Sequence, residues 1–134
     1  MVDITRDHVL RIYEDFARAR LDLLWNALDE DIDFLSHAPA DIFPYLGRCR
    51  GRDEVIKTLS KVHERLEIVT FWPITVLIDG SNAALTVLIS VKERSSGRSA
   101  YFLAAHFLRF RDRRIVEYRA IIDSLDAVRQ LVSS

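Results

Sequence analysis

The chain has 134 residues, 49% hydrophobic and 29% charged, enough for one compact domain with its own core and too little for two, so residues 1–134 are read as a single domain. Lys and Arg number 19 against 20 Asp and Glu, and this balance leaves no long-range field to draw the chain to nucleic acid or anionic lipid. The single cysteine, Cys49, excludes an internal disulfide and a thiolate zinc site.

The first residues are charged and amphipathic, without the apolar region of a signal peptide, and no apolar run approaches the roughly 20 residues that span a bilayer. A cytoplasmic protein is expected. Thr5 is placed to cap a helix over 6–20, whose buried stripe is Val9, Ile12, Tyr13, Phe16 and Ala17. A short helix follows Asp22, carrying Leu23, Leu24, Trp25 and Leu28. The stretch 31–37 turns extended and is stopped by Pro39. Two of three prolines and two of four glycines fall in 38–51, which reads as a surface loop. A third helix over 53–66 buries Val55, Ile56, Leu59, Val62 and Leu66.

Beyond Glu67 the periodicity is that of strands, near 67–79, 83–94, 99–111 and 114–122, separated by three turn signals. Residues 124–132 read as a short amphipathic helix, a lid or brace. Helices first and a strand meander afterwards predict an α+β fold. Alternation puts Phe102, Ala104, His106, Leu108 and Phe110 on one face, so a single ionisable ring interrupts an apolar surface. Over a cavity, that ring is a hydrogen-bonding group in a low-dielectric setting. Arg109, Arg111, Arg113 and Arg114 read as a solvated hairpin, and Cys49 reads as an incidental loop cysteine even with Arg48 and Arg50 beside it to favour a lower pKa.

Local marks accompany this order of elements: Ile12-Tyr13, Leu21-Asp22, Phe43-Pro44-Tyr45-Leu46-Gly47 with Arg50-Gly51-Arg52, Ser96-Gly97-Arg98, the run from Phe110 to Glu117, and Ile122-Asp123-Ser124-Leu125 with Arg129-Gln130-Leu131. Together they resemble the SnoaL-like and ketosteroid isomerase-like branch of the nuclear-transport-factor-two-like superfamily. The resemblance implies a cone-shaped, curved antiparallel sheet wrapped around the N-terminal helices, with an open-ended pocket. In the ketosteroid isomerase pattern the carboxylate base falls near Ser36, the oxyanion-hole tyrosine near Ile12 and the protonated acid at His106. In the polyketide cyclase-like pattern a histidine matches His106, while the acid–base aspartate falls at Ala120. The epoxide hydrolase set needs an inward arginine, and Arg119 lies off the expected inward face of Tyr118, Ala120 and Ile122.

These comparisons make His106 the leading catalytic candidate, with Asp123 and His37 as further polar groups; Asp123 better suits the cap of the last helix, and His37 equally suits an exposed loop position before Pro39. Tyr13, Phe16, Phe43, Tyr45, Phe102, Leu108, Tyr118 and Ile122 are the expected substrate-binding wall, suited to a hydrophobic or aromatic ligand. The four histidines have no metal-ligand spacing and no glycine-rich phosphate loop occurs, so neither metal nor nucleotide cofactor is expected. The resulting expectation is an isomerase, cyclase or dehydratase acting on an apolar carbonyl compound. A noncatalytic binding protein for a hydrophobic small molecule and a protein-binding domain are the alternatives. A homodimer is expected through the sheet, because Leu85, Val87, Ile89 and Val91 on one face of 83–91 and Ala84, Thr86 and Leu88 on the other are both largely apolar.

Overall fold

The computed structural model describes residues 4–37 and 46–122. Its elements run α1 (Arg6–Ala17), α2 (Leu21–Ala27), β1 (Leu28–Ser36), β2 (Arg48–Arg50), α3 (Arg52–Arg65), β3 (Leu66–Asp79), β4 (Asn82–Glu93), β5 (Ser99–Arg111) and β6 (Arg114–Ile122). The Thr5 side chain accepts a hydrogen bond from the His8 N–H, and α1 buries Val9, Ile12, Tyr13 and Phe16 as the spacing predicts. The helix stops short of Arg20 because Ala19 takes a left-handed conformation, φ 57°. The 38–51 loop contains a strand, β2, too short for periodicity to reveal.

One sheet holds all six strands, in the order β2-β1-β6-β5-β4-β3. From β3 to β6 it is the expected antiparallel meander. The β5–β6 turn is tight, with both Asp112 (φ 51°) and Arg113 (φ 67°) in the left-handed region that two-residue hairpins of this hand require.

Two features correct the expectation of an antiparallel cone. First, β1 pairs parallel with β6, from Asp33–Glu117 to Ser36–Ala120, so the sheet is mixed. Second, the sheet is open: β2 and β3 are its two edges, and it neither curls closed nor wraps the helices as a cone. Turn residues specify only sequential neighbours, so they carry no information on where β1 docks. Pro73 within β3 lacks an N–H for a ladder, and proline suits a strand that ends a sheet. The α+β class itself holds, with α1 packed over β3 and α3 near β1 and β3.

The burial alternation along β5 is nearly perfect, with Phe102, Ala104, His106, Leu108 and Phe110 buried. On β4, Leu85, Val87, Ile89 and Val91 face the helices, while Thr86 faces outward. Among the described residues, no helix is long and apolar enough to cross a membrane.

Candidate functional site

His106 is 2% exposed, yet both its ring nitrogens are satisfied. Tyr13 Oη lies 2.6 Å from Nδ1 and Tyr118 Oη 3.2 Å from Nε2. Three elements build this chain: α1 delivers Tyr13, and β5 and β6 deliver the other two. His106 stands directly opposite Ala120, while Tyr118 is opposite Leu108 and therefore diagonal to the imidazole. The small side chain of Ala120 leaves the space beside the ring clear, so the tyrosine two residues away reaches it.

Hydroxyl donors make shorter hydrogen bonds than N–H donors. The two distances fit the tautomer in which Tyr13 O–H donates to Nδ1 and Nε2–H donates to Tyr118 Oη. Aromatic packing holds the arrangement. Phe34 stacks on Tyr118 with ring centroids 4.7 Å apart, and Phe71 contacts Tyr13, Phe16 and His106.

Burial decides the protonation states. With no anion beside it, desolvation pushes the His106 pKa down from 6.5 to about 3, so the ring is neutral at physiological pH. The Tyr13 and Tyr118 hydroxyls are pushed up by the same cause, which disfavours their phenolates. The site is a neutral polar chain in an apolar wall.

Two adjoining cavities flank it, with empty volumes, mouths included, of about 510 and 640 Å³. Tyr118, Phe16, Phe34, Leu59 and Phe71 border both. Tyr13, Ile12, Leu108 and Ile32 line the first; His106, Ser36, Phe102, Ala120 and Ile122 line the second. Among the described residues, none bordering either cavity carries a charge at neutral pH.

Seven of the expected positions thus come together: His106, Tyr13, Phe16, Phe102, Leu108, Tyr118 and Ile122. His37 does not join them; it is exposed at the end of β1, and its backbone N–H donates to the Ala120 carbonyl. Asp123, Phe43, Tyr45 and the helix expected over 124–132 lie outside the described residues. Phe34 and Phe71 belong to the wall as well, and the alternation of their extended segments is the signal that places Phe34 there.

Two further groups belong to the frame. Asp33 Oδ2 receives Arg48 at 3.0 Å and Arg119 at 2.9 Å, and Arg119 also donates to the Asp33 and Tyr118 carbonyls, tying β2, β1 and β6. Arg119 is therefore spent on the sheet rather than aimed at the cavities. Hydrogen bonds from Arg48 hold the Asp33 carboxyl below its ordinary pKa. At Cys49 burial pushes the thiol up despite the neighbouring Arg48 and Arg50, and Thr58 Oγ1 lies 3.9 Å from Sγ.

The α+β scaffold thus keeps an uncharged tyrosine–histidine–tyrosine chain beside apolar cavities, the lining chemistry general to small-molecule pockets. The SnoaL-like domain profile matches residues 9–118, and the chain belongs to that family, within the nuclear-transport-factor-two-like superfamily. A candidate isomerase from Rhodopseudomonas palustris is 24% identical, with a TM-score of 0.87 over 98% of this chain and 100% of its own. A protein from Catenulispora acidiphila DSM 44928 with a ketosteroid isomerase-like fold, solved with trimethylamine, is 12% identical with a TM-score of 0.81, covering 95% and 93%. An LEH-like epoxide hydrolase from M. tuberculosis is 15% identical, TM-score 0.76, covering 94% and 90%. At these identities the likeness establishes the shared fold. Comparison with curated proteins gives no match.

Proposed function

We propose that this protein is a cytoplasmic, single-domain small-molecule enzyme, an isomerase, cyclase or dehydratase, acting on an apolar substrate that carries a carbonyl. The observation that supports this most is the neutral Tyr13–His106–Tyr118 chain bordering cavities otherwise lined by hydrocarbon. A carbonyl oxygen entering such a wall finds a hydroxyl donor in low dielectric, where a hydrogen bond to developing negative charge is strongest. His106 acts through the tyrosines it orients. The relatives described as a candidate isomerase and an epoxide hydrolase support small-molecule chemistry on this fold. Screening ring ketones and enones should reveal turnover that falls at least about 100-fold in Tyr118→Phe. Equal turnover by both proteins would remove the chain from the mechanism.

A second reading keeps the pocket without the chemistry. It is favoured by Ala120 opposite His106 and by the lack of a carboxylate among the described cavity residues. Native mass spectrometry after gentle purification separates the two: a retained, unchanged hydrophobic metabolite supports binding alone, and its conversion on incubation supports catalysis.

The same reading includes a homodimer formed through the outer sheet face. Cross-strand register aligns Trp72 with Leu88 and Leu103, and Leu77 with Ala84 and Phe107, on that face. Trp72, Leu77, Leu103 and Phe107 are each at least 44% exposed, a contiguous apolar patch of the kind that marks an interface. Sedimentation should give a dimer for the wild type and monomers or aggregates for Leu103→Lys; a wild-type monomer at micromolar concentration would defeat this arrangement.

A further inference from the structure

The chain has more hydroxyl protons than its internal hydrogen bonds consume. Two phenols and one neutral imidazole carry three protons, two O–H and one N–H, while the two hydrogen bonds at His106 use two. One hydroxyl proton is left over. With hydrogen on Nε2, Tyr13 donates inward and the proton of Tyr118 is free; with hydrogen on Nδ1, Tyr118 donates inward and the proton of Tyr13 is free. Both tyrosines border the first cavity, so in either direction the free proton sits on a residue that lines it.

We propose that Tyr13, His106 and Tyr118 form a reversible proton relay that interconverts a bound apolar ketone and its enol by reversing the direction of the chain. This deepens the enzymatic reading above and rests on it. In the forward step Tyr118 gives its hydroxyl proton to the carbonyl oxygen, and Nε2–H replaces it on Tyr118. Tyr13 passes its proton to Nδ1, and its oxygen takes a proton from the carbon next to the carbonyl. The C–H electron pair becomes the enol double bond, and the carbonyl π pair forms the new O–H bond. Every proton is accounted for, and the imidazole ends as the other tautomer. Reversal at a different carbon, with Tyr13 now the donor, completes an isomerisation and resets the ring.

No carboxylate enters this scheme, and none is found among the described cavity residues. Charge is never created on a side chain, which suits a site that desolvates all three groups. The Tyr13–Nδ1 distance of 2.6 Å is short enough for proton transfer without rearrangement, and the 3.2 Å contact to Tyr118 closes as the substrate is engaged.

The test is deuterium uptake at the α-carbons of cyclohexanone in D2O, followed by NMR, with saturation transfer reporting ketone binding in the same samples. Wild type should exchange. Tyr13→Phe and Tyr118→Phe should each lose at least about 100-fold of that rate, and Tyr13→Phe should still bind the ketone. His106→Gln, whose amide donates and accepts but does not switch its proton as an imidazole does, should lose exchange as well. Circular dichroism identifies any variant that fails to fold, and the comparison then rests on the others. Undiminished exchange in Tyr13→Phe or His106→Gln would overturn the relay and leave the enzymatic reading standing. Ketone bound by the wild type without exchange would overturn the relay in favour of a binding protein. Absence of ketone binding by the wild type would overturn both.

Discussion

His106→Leu should lower the stability of the protein by about 4 kcal/mol, one of the largest effects available to a single substitution in this chain. Leucine fills much of the ring's volume, so the loss does not arise chiefly from a cavity. It arises from Tyr13 and Tyr118, whose hydroxyls each lose their partner inside an apolar wall at about 1–3 kcal/mol apiece. The cost should therefore be recoverable. Tyr13→Phe/His106→Leu/Tyr118→Phe, which deletes all three polar groups together, should be more stable than His106→Leu alone by more than about 1 kcal/mol, since removing both partners of a buried hydrogen bond is close to neutral. Urea denaturation of the wild type and both variants measures this directly. A triple variant no more stable than the single one would mean that the freed hydroxyls find water in the cavities. The expected recovery also bears on function: a core that hydrocarbon would serve as well has no structural need for three polar groups.

The signals legible in the sequence were those written within a few residues. Thr5 and the 3.6-residue spacing of Val9, Ile12, Tyr13 and Phe16 specify α1, and strict alternation specifies the buried face of β5. Turn residues give the order β3 to β6. The parallel docking of β1 on β6 and the open, mixed sheet were not legible, because that pairing joins segments about eighty residues apart and no turn encodes it. The resemblance-based cone fails for the same reason: motifs at element ends report order, while curvature and closure are properties of the assembled sheet.

The site was legible one residue at a time and not as a unit. Alternation exposes His106 as a lone ionisable ring on an apolar face, and Tyr13 falls on the buried stripe of α1. Their 2.6 Å contact depends on where α1 crosses the sheet, which no local pattern states. The Tyr118 contact depends on register, with Ala120 opposite His106 and Tyr118 one diagonal step away. The alanine that lacks a catalytic carboxyl is thus also the gap through which Tyr118 reaches the imidazole. His37 is exposed one residue past Ser36, the last residue of β1, with its N–H still bonded to the Ala120 carbonyl.

Acid should unfold this protein earlier than its surface charges alone would require, and His106 should be the main reason. In the folded state its pKa is pushed from 6.5 to about 3, whereas the unfolded chain binds a proton near the ordinary value. Between those limits the unfolded state holds more protons, so stability is fully present above about pH 6.5 and falls as pH drops, by up to about 1.4 kcal/mol per pH unit. Partly buried His63, also lowered by desolvation, adds to the loss in the same direction. Asp29 and Asp33, held low by their arginine partners and, for Asp29, first by the Asp31 N–H, lose their contribution only below the ordinary carboxylate value of 3.8, beneath most of this window. Since whole domains are stable by only about 5–15 kcal/mol, about 1.4 kcal/mol per unit over the two units below pH 6.5 removes a substantial share of that margin. Urea midpoints measured from about pH 7 to about pH 4.5 should decline steeply for the wild type, less so for His63→Gln, and least for His106→Gln, which is less stable at neutral pH but has no ring to protonate. A wild-type profile as flat as that of His106→Gln would show that the imidazole is hydrated well enough to charge in place, and that the site is wet rather than apolar.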